Sequence, residues 1–183
     1  MAIHGELVAR TILIIVFVFA VFGKARSYDA FVGFTQSLAP LVKRKNMIVP
    51  VASLVVAAEI AALVLLLRGR WQGHLLAAAL LVVLTCGVAA SLHRNLPMTC
   101  RCFGKNGELR WHHLVRNGVL LIAAVSGCFA RFAAQPEGIG QAAGLDVAAG
   151  LVIGLAITRW DELAFLISPS SRRTPAASGR RPT

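Results

Sequence analysis

Two cysteines separated by a single residue stand in the run Cys100-Arg101-Cys102-Phe103-Gly104. Cα atoms two residues apart lie about 5 to 7 Å from each other, a separation that a disulfide can bridge. The ring closed by such a bond is very small and demands a tight turn, so the bond is strained. Strained, exposed disulfides are the more oxidising and labile ones. Arg101 between the sulfurs favours the thiolate, as does a helix amino terminus shortly downstream. An exchanging dithiol needs these features, whereas a structural staple is poorly served by them. The plainer alternatives are two unrelated loop thiols or half of a metal site.

The other two cysteines, Cys86 and Cys128, fall inside apolar segments, where cysteine usually acts as a small apolar residue. The sharper reading makes one or both a relay for electrons to the Cys100–Cys102 pair. Cys86 is the nearer of the two to the membrane surface that carries the pair, which argues against a direct bond between them. His93, His112 and His113 flank the pair, and thiolates with imidazoles suit copper or zinc. The spacing matches no standard zinc pattern, so no metal centre is expected. Glu59 lies mid-way along an apolar run, where an acid is costly and faces the interior, paired or protonated. It is a candidate for proton handling or for contact with a quinone-like ligand, with a structural hydrogen bond as the alternative. Arg116, close after the cysteine pair, either tunes a thiolate or snorkels to the headgroups.

The elements that must position these groups are membrane helices. Of 183 residues, 57% are hydrophobic and only 15% charged, and mean hydropathy is +0.70. Soluble domains carry roughly a quarter charged residues, so this chain cannot cover a water-facing surface. Disorder, coiled coils, collagen-like repeats and a small disulfide scaffold are excluded on the same grounds. A spanning helix needs about 20 mostly apolar residues. Spans are expected near 7–22, 47–67, 75–92 and 114–134, with a fifth and weaker one at 142–160. The first is read as a retained helix rather than a signal peptide, because no small-x-small site follows Phe22. Between the first two spans, Phe31, Phe34, Leu38 and Leu41 recur at helical steps. They give Tyr28 to about Val42 a helical pattern that is too short to cross, and Pro40 is expected to end the helix. The fold class is therefore an all-α, multi-pass transmembrane bundle of four core helices plus a fifth, with an interfacial helix in the first loop. One membrane domain covers 1–168, and 169–183 is expected to be a disordered basic tail.

The formal charge of +11 would suggest nucleic acid in a soluble protein, but here it reflects basic loops, and no nucleic-acid partner is expected. Lys24, Arg26, Lys43, Arg44, Lys45, Arg94, Arg101, Lys105, Arg110, Arg172, Arg173, Arg180 and Arg181 share one face, thirteen residues in all. Arg10, Arg68, Arg70 and Arg131 mark the other. The positive-inside rule then puts the richer face, and with it Cys100 and Cys102, in the cytoplasm.

In the same order along residues 5–135, the chain resembles the methylamine utilisation protein MauE family, related to DoxX-like membrane proteins. The resemblance rests on Gly23-Lys24, Phe31, Phe34 and Pro40, Pro50 and Glu59. Its most specific part is Cys100-x-Cys102-Phe103-Gly104 followed by Leu114-Val115-Arg116-Asn117. The family usually has Gly between the two cysteines, whereas Arg101 stands here; Cys86 and Cys128 lie outside the pattern. The resemblance implies a redox-associated protein of the inner (plasma) membrane. It implies a thioredoxin-like partner and service to exported, disulfide-containing clients, in methylamine metabolism or a related maturation pathway.

Disulfide chemistry on exported clients calls for Cys100 and Cys102 on the outer face, opposite to the charge count. Either cytoplasmic reductant enters at the pair and crosses to an external partner, or the bundle is inverted. The expected activity is thiol–disulfide exchange at Cys100 and Cys102, with Arg116 tuning the thiolate and Glu59 handling protons. The rival from a different class is a non-enzymatic membrane scaffold or assembly factor.

Overall fold

Long runs of Leu, Val, Ala and Ile with few charges form helices because, in lipid, every backbone polar group must be satisfied within its own segment. The computed structural model describes residues 2–42, 44–93, 99–100, 107–108, 112–133 and 143–159. Among these residues six α-helices follow in order: α1 (Ala2–Ala25), α2 (Tyr28–Leu38), α3 (Ile48–Leu67), α4 (Trp71–His93), α5 (His112–Ala133) and α6 (Ala143–Thr158). A short 3₁₀ turn, Lys45–Met47, leads into α3, and two paired dipeptides, β1 (Thr99–Cys100) and β2 (Gly107–Glu108), lie between α4 and α5. Among the described residues four helical stretches are long and apolar enough to cross a membrane: His4–Ala25, Lys45–Leu67, Trp71–His93 and Leu114–Phe132. The chain is thus an all-α, multi-pass membrane bundle. The sixteen residues of α6 reach only about 24 Å at 1.5 Å each, less than the roughly 30 Å hydrocarbon core. The tail predicted at 169–183 lies outside the described residues.

The helices α1, α3, α4 and α5 form a ring in which α1 packs on α3 and α5, and α4 packs on the same two; α6 lies against the outside of α1. Inner-facing residues recur at three- and four-residue steps. On α1 they run Glu6, Ala9, Leu13, Val16, Phe17, Ala20, Lys24, all buried. Leu13, Ala62, Leu66, Ala77, Leu120 and Ala124 meet in the centre with no exposed surface. Many large apolar side chains, such as Val83, Ile122 and Phe129, point outward to where lipid would be. Association in such a bundle comes from close packing and interhelical polar contacts, since lipid tails are as apolar as leucine.

Two boundaries differ from the sequence reading in an instructive way. The first span is a 24-residue helix, about a turn longer at each end than 7–22. Its ends hold Glu6 with Arg10 one turn apart, 3.7 Å between charged atoms, and a buried Lys24. Helix α2 stops at Leu38, two residues before Pro40, and Ser27 caps its start by accepting from the Ala30 amide at 3.2 Å. It does more than rest on the surface: Gly33, Phe34 and Thr35 are buried against α1 and α3.

The sequence reading missed how α6 is held. Gly150 and Gly154 are one turn apart on its buried face, a small-xxx-small spacing that lets two helices approach closely. A Cβ at Gly150 would lie 2.7 Å from Thr11 Cβ and 2.9 Å from the Val8 carbonyl oxygen, and one at Gly154 would lie 3.1 Å from Ile15 Cβ. Both contacts advance together, so α6 runs parallel to α1. At the start of α6, Asp146 shares a hydrogen bond with the His4 ring. Gly150→Leu is expected to push α6 off α1 and cost about 1–3 kcal/mol in unfolding experiments. Gly144→Leu, with nothing within 4 Å of its Cβ, is the silent control.

Candidate functional site

An odd number of crossings puts α2, the end of α4 and the start of α5 at one end of the bundle. Leu41, just past α2, confirms this placement by touching α4 at Gly87. The connection between α4 and α5 carries the cysteine pair. Its backbone turns back on itself in an antiparallel ladder, with Thr99 opposite Glu108 and Cys100 opposite Gly107. Cys102 falls between these paired dipeptides and lies outside the described residues, as do Arg101, Phe103 and Gly104.

Helix α5 begins at His112 and turns Arg116 and Asn117 onto its inner face, 6% and 7% exposed. That face continues through Leu120, Ala124 and Gly127. Arg116 therefore does not snorkel to the headgroups. Its Cα lies four residues, or roughly 6 Å, past the start of the helix that follows the cysteines, and its side chain is buried within the bundle.

Deeper at the same end, Lys24 Nζ donates to Glu59 Oε1 at 2.6 Å, and each side chain is only 1% exposed. The Lys24 ammonium also sits 5.0 Å from the centre of the Phe34 ring, a cation–π contact that a desolvated site strengthens. Phe34 comes from α2, so the short helix closes over the pair. Glu59 thus faces the interior and is paired, while its Oε2 has no hydrogen-bond partner among the described residues. Sequence reasoning passed over Lys24 and counted it as a loop charge. The available signal was its place four residues beyond Ala20 on the inner stripe of α1.

Cys86 and Cys128 are not brought together. Gly127 of α5 packs on His74 of α4; a Cβ there would lie 2.6 Å from the ring. From that contact, Cys86 is twelve residues further along α4, while Cys128 adjoins Gly127, so the two thiols differ by about 18 Å in height. Cys86 is exposed on the outside of the bundle and Cys128 is half-buried at the end opposite the cysteine pair. His74 itself is 1% exposed, with neither ring nitrogen hydrogen-bonded among the described residues. It was not singled out in sequence because it sits at the edge of a Leu- and Ala-rich run.

Comparison with curated proteins and with solved structures finds no match. The family model for methylamine utilisation protein MauE matches residues 4–130. That stretch includes Lys24, Phe34, Glu59, both cysteines of the pair and Arg116, and ends before α6. The chain belongs to the MauE family of membrane proteins.

Proposed function

We propose that this protein exchanges thiols and disulfides at Cys100 and Cys102 with a thioredoxin-like partner, in support of disulfide formation in exported clients. The observation that carries the reading is the closely spaced pair set on a turned-back connection, directly ahead of a helix that buries Arg116 and Asn117 at the same end as Lys24–Glu59. In the exchange, a thiolate of the partner attacks the Cys100–Cys102 disulfide and forms a mixed disulfide. The partner's second thiolate then displaces the bound sulfur. Two electrons pass to the pair with two protons and the partner leaves as a disulfide. Each step is reversible, and for net disulfide formation a two-electron acceptor of the quinone class takes the electrons and protons and returns the pair to the disulfide. Arg116 stabilises the thiolate that departs, and Glu59 Oε2 is the acid-base group within the bundle.

Serine at one cysteine tests this, because in the reverse direction the remaining thiolate attacks the partner's disulfide and the missing cysteine is the group that would resolve the mixed disulfide. Cys102→Ser or Cys100→Ser is expected to accumulate a covalent, reductant-sensitive adduct with a thioredoxin-fold protein. If neither single variant yields an adduct while the double serine variant still supports client maturation, the protein acts as a scaffold. Cys86→Ser and Cys128→Ser are expected to leave exchange rates unchanged, since one thiol faces outward and the other lies at the far end of the bundle. A loss of exchange in either would restore the relay.

A further inference from the structure

At the end of the bundle opposite the cysteine pair, four arginines converge on the turn between α3 and α4. Gly69, at φ +64°, makes that turn with Arg68 and Arg70 on either side, both exposed. Arg10 of α1 reaches it: its Nη1 lies 3.0 Å from where a Gly69 Cβ would stand. Arg131 arrives from α5 because its neighbour Phe132 packs on Trp71, ring centres 5.4 Å apart. The charges of Arg10 and Arg131 both bear on the buried His74 ring beneath. Among the described residues Glu6 is the single acid in contact, 3.7 Å from Arg10; Arg68, Arg70 and Arg131 have no ion pair there, and Arg70 Nε donates to Gln72 Oε1 at 3.4 Å.

Like charges gathered at one turn cost energy unless anions offset them, and Glu6 offsets only one of the four. The level in the membrane says which anion. Trp71 and Phe132 are exposed aromatics of the kind that settle at the headgroup boundary. Below them, Leu75 and Phe129 are exposed on the outward face, where acyl chains lie. From this convergence of arginines above an apolar wall, three of them without an ion pair among the described residues, we infer that the α3–α4 turn, with Arg10 and Arg131, binds the phosphate headgroup of an anionic phospholipid.

The test uses the full-length protein purified in mild detergent, with retained lipid measured by native mass spectrometry. Phosphatidylglycerol, phosphatidylcholine and inorganic phosphate are the probes. Phosphatidylglycerol is expected to be retained in preference to phosphatidylcholine and not displaced by phosphate. Each arginine at a charged membrane surface contributes roughly fivefold, so R68Q/R70Q/R131Q is expected to weaken retention on the order of 100-fold. R172Q/R173Q/R180Q removes as much charge elsewhere and is expected to behave as wild type. Equal retention of the two lipids, displacement by phosphate, or an equal loss in both triple variants would overturn the assignment.

Discussion

Cys100→Ser and Cys102→Ser are each expected to abolish steady-state disulfide transfer, not merely to slow it. A single remaining thiolate can still attack, but without the second sulfur the mixed disulfide is not resolved and the disulfide of the pair cannot form, so one serine stops the cycle after at most half a turnover. The readout is the disulfide content of the exported client in cells carrying each variant, beside an immunoblot showing that the protein itself accumulates normally. Arg101→Gly, which restores the residue more usual in the family, is expected to keep the cycle running. It removes the positive charge between the sulfurs and so makes the dithiol harder to ionise. Full client maturation in the double serine variant would show that the pair does not carry the function.

The second large effect concerns stability. Lys24→Met leaves Glu59 buried at 1% exposure with its cation gone, and Glu59→Leu strands Lys24 in the same way. Removing one partner of a buried ion pair costs about 3–5 kcal/mol, because the other charge keeps its desolvation penalty. The double variant Lys24→Met/Glu59→Leu is expected to recover most of that loss, since two apolar side chains of similar volume leave nothing uncompensated. Unfolding of the four proteins in mixed detergent closes the cycle. Additive losses in the double variant would mean that the two groups do not act as a pair. Phe34→Leu keeps the packing but removes the ring over Lys24, and is expected to cost about 0.5–2 kcal/mol.

What was legible in the sequence was what periodic hydrophobicity reports. The four long helices and the weaker fifth appeared within a few residues of their observed limits, because composition alone decides whether a segment can live in lipid. Charges at helix ends were harder. Lys24 follows Gly23 and lies just past the span expected from Leu7 to Phe22, so it read as a loop charge on the basic face. Only the position of α3 shows that it reaches back to Glu59. Taking Lys24 out of the loop charges leaves twelve basic residues against four, so the bias towards the cysteine-bearing face stays. Arg116 was ambiguous for a related reason: a residue near a helix start can point to the headgroups or inward, and the face it shares with Leu120 and Ala124 settles the matter. The Gly150–Gly154 spacing was present in the sequence and overlooked, because α6 was judged on hydropathy, which says nothing about helix contact. The convergence at Gly69 could not have been seen, since it joins residues from α1, the α3–α4 turn and α5.

The central claim is that Cys100 and Cys102 alternate between a disulfide and a dithiol in the membrane. The most direct measurement keeps only these two cysteines, with Cys86 and Cys128 replaced by serine, and treats intact cells with a membrane-impermeant maleimide before and after mild reduction. A second arm treats opened cells, so that the face bearing the pair is read in the same experiment. Labelling of both sulfurs only after reduction, on whichever face is reached, is the predicted result. Full labelling without reduction in both arms, unchanged when the thioredoxin-like partner is removed, would contradict it.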